Sequence, residues 1–379
     1  MHKITKLLSK IYSICKETSF EGSLYLPHSL IIECLEKHSK SGVFEFSVLG
    51  KSAEDIDINC FKYGNGKKKI LLWSQMHGDE STGTQAIFDI MNFLSSDNHV
   101  FEKKRKKISK KCTLYFIPML NPDGANRFTR RNALGIDINR DARKLASPEA
   151  QILMNAVKKI SPDFAFNLHD QDAYYSVGKT SKPAAISFLS PTYNQKKSVN
   201  KSRKRSMKII SMNNELIQKY VPGSIAKYND DFYPTAFGDN IQRLGISTIL
   251  IESGWYYNDD NKQLIRKLNY LIILNSIFSI STNKYKKYSV QAYSEIPFNR
   301  KDGLFEKILK HKIQIKDKEI ETDIGIRRRF TLDENKEQKC EYKIEDIGDL
   351  SAYYQYIEEE FNVEISNFIS IGDKIQITK

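Results

Sequence analysis

Ile70-Leu71-Leu72-Trp73-Ser74 is an unbroken apolar run, and the segment after it, Thr82 to Leu94, sets Ala86, Ile87, Ile90, Met91 and Leu94 at helical spacing. A strand that is apolar at every position is covered on both faces, and a strand that feeds straight into a helix opens a crossover unit. The pattern recurs along the chain. Cys112 to Leu120 reads as another strand, stopped by Asn121-Pro122-Asp123-Gly124, whose residues signal a turn. Ser147-Pro148-Glu149 supplies a capping serine and a proline at a first helical position. Asp163 to His169 and Ser247 to Ile251 are further strands, and Asn261 to Ile280 is a long helix. The expected fold class is α/β: a mixed, mostly parallel sheet flanked by helices, over residues 1–284. After about Tyr285 the texture changes to short β-like pieces (Lys312 to Ile315, Ile324 to Phe330, Ile369 to Ile377) with one helix-like stretch, Leu350 to Phe361. That predicts a smaller β-rich C-terminal domain at 285–379.

Composition limits what such a chain does. With 379 residues, 40% hydrophobic, it has ample material for a core. The net charge of +13 is concentrated in two runs, Lys103 to Lys111 and Lys196 to Lys208. Neither run is interleaved with aromatics or joined to a nucleic-acid module, so they read as solvated faces and a nucleic-acid partner is not expected. Five scattered cysteines without a CxxC pair argue against a disulfide framework and against a cysteine zinc site. The basic N-terminus lacks a continuous apolar segment, and the greasiest stretch, Tyr270 to Ile280, is too short to span a bilayer. A soluble cytoplasmic protein is expected. Oligomeric state is not legible.

In a sheet of this kind functional residues collect at the carboxyl ends of the strands, and His77, His169 and Glu252 fall there. His77-Gly78-Asp79-Glu80 offers an imidazole and a carboxylate three residues apart at a strand-to-helix corner. Zinc in a hydrolase takes three protein ligands and leaves one position open. His77, Glu80 and His169 are the candidates for that set. Glu252 ends an apolar strand, where desolvation raises a carboxylate's pKa toward usefulness as a base. Between them Arg130-Arg131-Asn132 and Asp137-Ile138-Asn139-Arg140 supply guanidiniums and an amide suited to an oxyanion or a carboxylate. Each of these residues alone has an ordinary structural explanation; together, and in this order, they do not.

The segments His77-Gly78-Asp79-Glu80, Asn121 to Gly124, Arg130 to Arg140, Asn167-Leu168-His169 and Leu250 to Gly254 resemble, in sequence and in order, the metallocarboxypeptidase family of zinc peptidases. The resemblance spans Leu71 to Gly254, roughly half the chain. It implies one Zn2+ held by His77, Glu80 and His169, with Glu252 as general base and proton shuttle. Arg130, or its neighbour Arg131, would polarise the scissile carbonyl. Asn139 and Arg140 would grip the substrate's terminal carboxylate, and Asp137 would orient His77. The family's mobile tyrosine has two candidates, Tyr228 and Tyr233. Asp141 departs from the family pattern and adds a negative charge beside Arg140. The implied substrate is a peptide, or an N-acyl amino acid, with a free carboxylate. The β-rich appendage is similar to zinc acylases of the succinylglutamate desuccinylase and aspartoacylase kind, which keeps a deacylase as an alternative. A degenerate fold retained for binding is the non-enzymatic one.

Overall fold

The structure, a computed structural model, describes residues 1–315, 317–357, 362–363, 369–375 and 377–378. In chain order the first strands are β1 (Glu45–Lys51), β2 (Asp57–Tyr63), β3 (Lys68–Trp73), β4 (Cys112–Ile117), β5 (Phe164–Asp170), β6 (Ser176–Val177), β7 (Ile186–Leu189), β8 (Ile225–Lys227) and β9 (Ser247–Ser253). All but β6 join one sheet in the order β1-β2-β4-β3-β5-β9-β7-β8. The middle of it is parallel, with β4, β3, β5 and β9 side by side, while β1–β2, β2–β4 and β7–β9 are antiparallel.

Alternation along each strand splits the core between two faces. Ile70, Leu72, Phe164, Phe166 and Leu168 pack under the helices Thr82–Ser95, Lys201–Ile217 and Gln263–Thr282. Leu71, Trp73 and Ala165 face the other way, onto the helices Pro148–Ile160 and Phe237–Arg243. Two helices of the first layer are tied by a buried ion pair, Arg266 Nη2 to Asp89 Oδ1 at 2.5 Å.

The expected turn at Asn121 to Gly124 is instead the start of the helix Pro122–Arg127. Asn121 accepts from Gly124 N at 2.9 Å and Pro122 takes the first position. The same residues that favour a turn also cap and open a helix. The expected helix over Leu350 to Phe361 does not form in its first part: Tyr354–Gln355 is a strand, and 358–361 lie outside the described residues.

The C-terminal region is β-rich as expected. β10 (Asn299–Arg300) pairs with β6, and β11 (Leu304–Phe305) lies beside Tyr354–Gln355. β12 (Lys307–Ile315), β13 (Lys318–Leu332) and β14 (Gln338–Gly348) form an antiparallel sheet with Lys374–Ile375 around Ile324, Ile326 and Ile344. It docks on the larger sheet region through Phe330, stacked on Trp255 at 5.2 Å.

The first basic run lies on the helix His99–Lys111 and the second opens the helix Lys201–Ile217. Within the second, Arg203 is buried and donates to Ser190 O, Lys197 O and Asp230, so it serves the fold. Among the described residues no helix is long and apolar enough to cross a membrane.

Candidate active site

The carboxyl ends of the adjacent parallel strands β3, β5 and β9 carry the candidate residues. After β3 the chain leaves the sheet at Gln75, whose φ of 46° is left-handed and rare for a non-glycine residue. Its side chain holds that corner by donating to Leu26 O and Gly78 O and accepting from Thr84 Oγ1. His77 and Glu80 project from the corner, and the helix Thr82–Ser95 comes next. Gly78 is needed because a Cβ there would lie 2.0 Å from Gly124 C. Asn121 donates to Met76 O at 3.3 Å, and its own N–H donates to Gln75 O at 3.0 Å. The Asn121 to Gly124 segment thus clamps the corner from behind.

His77, Glu80 and His169 come together and are buried, with one ligand atom from each within 4.8 Å of the others. Glu80 Oε1 lies 2.6 Å from His77 Nδ1, and Glu80 Oε2 lies 2.8 Å from His169 Nδ1. Two imidazole nitrogens and a carboxylate form the donor set that zinc takes in hydrolases. His77 Nε2 is 3.3 Å from Asp137 Oδ1, the outer carboxylate contact that fixes a metal-ligating imidazole. The residues present therefore fit the metal.

Among the protein groups alone, burial pulls His77 down, but Glu80 and Asp137 outweigh it and push its pKa up to about 9. Burial raises Glu80, and the two imidazoles overcome this to hold it below the usual carboxylate range. His169, fully enclosed, is pulled down by burial.

Glu252 sits opposite His169 in the β5–β9 register. Burial first, then the neighbouring Glu80 carboxylate, raise its pKa well above the ordinary value. That suits it to accept a proton from water. Gly254, two residues on, donates to Ala185 O at 2.9 Å, and a Cβ there would lie 2.0 Å from Ala184 O. The approach of backbone to backbone explains the glycine after Glu252-Ser253.

Arg130, Asn139, Arg140, Tyr233 and Glu252 line one cavity with the His77, Glu80 and His169 cluster. Arg130 Nε donates to Asp137 Oδ2 at 3.0 Å, and its Nη1 is 3.4 Å from Glu80 Oε1. Arg131 is a correction to the expectation from sequence. It turns outward and donates to Gly135 O at 2.9 Å, outside the cavity, because consecutive side chains diverge. Asn139 accepts from Phe237 N at 3.1 Å, and Arg140 lies over the Tyr233 ring at 5.4 Å. Tyr228 also lines the cavity, its hydroxyl 3.3 Å from that of Tyr175. Asp141 does not face Arg140's side of the cavity. It is buried and accepts from Ala146 N, Ser147 N and Ser147 Oγ, fixing the start of the helix Pro148–Ile160.

Sequence alone did not point to Asp172, Tyr175, Asp239 and Lys301, which line the same cavity. No local signal marks them, since they reach the site through packing: Asp172 and Tyr175 from the loop after β5, Asp239 from the helix Phe237–Arg243 and Lys301 from the turn after β10.

The zinc carboxypeptidase family model matches residues 30–264. An uncharacterized protein of Zymomonas mobilis is 30% identical over 138 residues, 35% of each chain. Carboxypeptidase 2 of Trichophyton rubrum is 26% identical over 144 residues, 38% of this chain and 25% of that protein. The chain thus spans about a quarter to a third of the length of these curated relatives. In fold it is similar to a metallo-carboxypeptidase from Burkholderia cenocepacia, with TM-score 0.55 and 16% identity, covering 69% of this chain and 71% of that one. Bovine thrombin-activatable fibrinolysis inhibitor, solved in complex with tick carboxypeptidase inhibitor, gives TM-score 0.51 and 14% identity, covering 69% of this chain and 98% of that one. With the match extending over more than half of its length, and with His77, Glu80 and His169 gathered as a group that could hold a metal, the chain belongs to the zinc carboxypeptidase family.

Proposed function

We propose that the protein is a metallocarboxypeptidase that hydrolyses the amide bond next to a terminal carboxylate, using one zinc per chain held by His77, Glu80 and His169. The observation that carries this is the single cavity in which those ligands, Glu252, Arg130, Asn139 and Arg140 meet. Zinc, when bound, supplies a Lewis acid at the attacked carbonyl. Glu252 takes the proton from the attacking water and returns it to the leaving nitrogen, a role its raised pKa favours. Arg130 donates to the oxygen on which negative charge develops. Asp137 steadies both His77 and Arg130 through its two oxygens. Arg140 and Asn139 hold the substrate's terminal carboxylate, and Tyr233, half exposed beside Arg140, contacts the substrate there.

The catalytic unit on this reading spans 1–284 and a small β-rich domain spans 285–379. Its place of work is the cytoplasm, which its five unpaired cysteines support.

The test is Glu252→Gln, assayed for zinc by elemental analysis and for turnover on peptides and N-acyl amino acids. Zinc is expected to stay bound while peptide hydrolysis falls by roughly 10²–10⁴-fold. Full activity of the variant would refute the mechanism. Cleavage confined to N-acyl amino acids would replace the peptidase by a deacylase.

A further inference from the structure

At the amino ends of β3 and β5, the opposite end of the sheet from His77 and His169, lies a second cavity of about 610 Å3. β5 runs from Phe164 to Asp170, so at about 3.3 Å per residue the two cavities are roughly 20 Å apart. Lys201, Lys204, Arg205 and Lys208 line it, and their i, i+3, i+4 and i+7 spacing puts them on one face of the helix Lys201–Ile217. Lys68, which opens β3, and Lys286, which follows the helix Gln263–Thr282, line the same recess. A merely solvated helix face needs no cations brought to it from two other segments. These are also fixed in place. Lys68 Nζ donates to Ile280 O and to Asn283 Oδ1, the latter at 2.8 Å, and Lys208 Nζ donates to Lys286 O at 2.9 Å. Arg205 lies over the Phe164 ring at 5.0 Å.

The charge gathered there is unmatched. Among the described residues none of the six cations forms an ion pair with a carboxylate. The one acid lining the recess, Asp163, accepts instead from Lys69 N at 3.0 Å. Arg205 Nε is buried with no hydrogen-bond partner among those residues. Burial, reinforced by neighbouring Lys286, pulls the Lys68 ammonium below its ordinary pKa. Six cations around one occupied carboxylate repel one another, a cost that a multivalent anion turns into attraction.

The chemistry of the recess narrows the anion. Ammoniums arriving from three segments act as point charges, which suit the oxygens around a phosphate, whereas a planar carboxylate is matched best by an arginine fork. The Phe164 ring is covered by Arg205 and by Tyr285, 5.7 Å away edge-on, so a nucleobase would gain no stacking there. We propose that this recess binds a small molecule carrying two or more phosphate groups, held by Lys68, Lys201, Lys204, Arg205, Lys208 and Lys286. The site is separate from the candidate active site and does not rest on the peptidase reading. An anion bound there ties the start of β3 to the helix Lys201–Ile217 and to the Lys284–Lys287 turn, and stabilises the fold by linkage.

The test is calorimetry of the zinc-loaded full chain with inorganic tripolyphosphate in excess magnesium, with zinc per chain measured after the titration. One tripolyphosphate is expected to bind per chain, about 10-fold or more tighter than inorganic phosphate, with zinc retained. Lys201 and Lys204 are exposed, so Lys201→Gln with Lys204→Gln removes two charges without disturbing the core. That double variant should bind tripolyphosphate about 10- to 100-fold more weakly. Lys103→Gln with Lys107→Gln takes the same charge from exposed positions of the helix His99–Lys111 and should bind as the unsubstituted chain does. Absence of binding, heat that accompanies loss of zinc, or equal weakening in the two double variants would overturn the proposal. So would binding of a DNA duplex or of phosphatidylserine vesicles through Lys201 and Lys204 without binding of tripolyphosphate, since the partner would then be an extended surface.

Discussion

Gly78→Ala should cost this protein its metal more than its fold. The added Cβ would lie 2.0 Å from Gly124 C, 2.2 Å from Ala125 N and 2.4 Å from Gly124 O. Non-bonded carbon atoms rest at about 3.5–4.0 Å, so the two segments must part by roughly 1.5 Å. Neither is free to move, since both are backbone and are joined by Asn121 N to Gln75 O at 3.0 Å and Asn121 Nδ2 to Met76 O at 3.3 Å. Overpacking of this kind costs about 1–3 kcal/mol, which lowers the melting midpoint by roughly 1–4 °C in a chain of this size. The larger effect falls on the residues flanking Gly78. Zinc tolerates ligand displacements of about 0.2 Å, several times less than the shift required of the corner that presents His77 and Glu80. The assay is calorimetric melting with and without zinc, together with zinc per chain after dialysis. At a free zinc concentration 100 times Kd the unsubstituted protein gains about 2.7 kcal/mol, and the variant should gain almost none. Gly42→Ala is the control: φ there is +69° with nothing within 4 Å of the new Cβ, so it strains the backbone without moving the corner. Retention of stoichiometric zinc and the normal zinc-induced upshift in Gly78→Ala would refute the reasoning.

Arg130→Ala should lower kcat by roughly 10²–10³-fold, whereas Arg131→Ala, removing a side chain bonded to Gly135 O outside the cavity, should change peptide turnover little; steady-state kinetics on both variants separates the neighbours. His38 is fully buried, neither ring nitrogen has a hydrogen-bond partner among the described residues, and burial pushes its pKa down to about 4, below the unfolded value of 6.5. Below pH 6.5 the unfolded chain takes up a proton that the folded chain refuses, so stability falls as pH drops from 6.5 towards 4, by up to about 3 kcal/mol. His38→Leu should flatten that slope in urea titrations across the window, and an unchanged slope would contradict it. Arg266→Ala leaves the buried Asp89 without its partner and should cost about 3–5 kcal/mol in denaturant unfolding.

The legible part of this protein is the part whose physics is local. Apolar runs such as Ile70 to Trp73 announce buried strands, and the helical spacing from Ala86 to Leu94 announces the helix after the corner. Ser147-Pro148 marks a helix start because capping involves only neighbouring atoms. The Asn121 to Gly124 segment is ambiguous for the same reason, since turn and cap use the same residues. His77 and Glu80 could be paired from sequence because a single corner carries both.

Tertiary structure decided everything that depends on register and on side chains meeting from distant segments. His169 reaches Glu80 because β5 lies beside β3, and it faces Glu252 because β9 lies beside β5 in one particular register. Only packing sends Arg130 inward and Arg131 out, and commits Asp141 to capping a helix. Asp172, Asp239 and Lys301 line the cavity from a loop, a short helix and a turn, and no spacing along the chain signals that they meet there. Local sequence fixes backbone preference and burial over a few residues, whereas a recognition pocket is a convergence in space, set by which strands pair and at what offset.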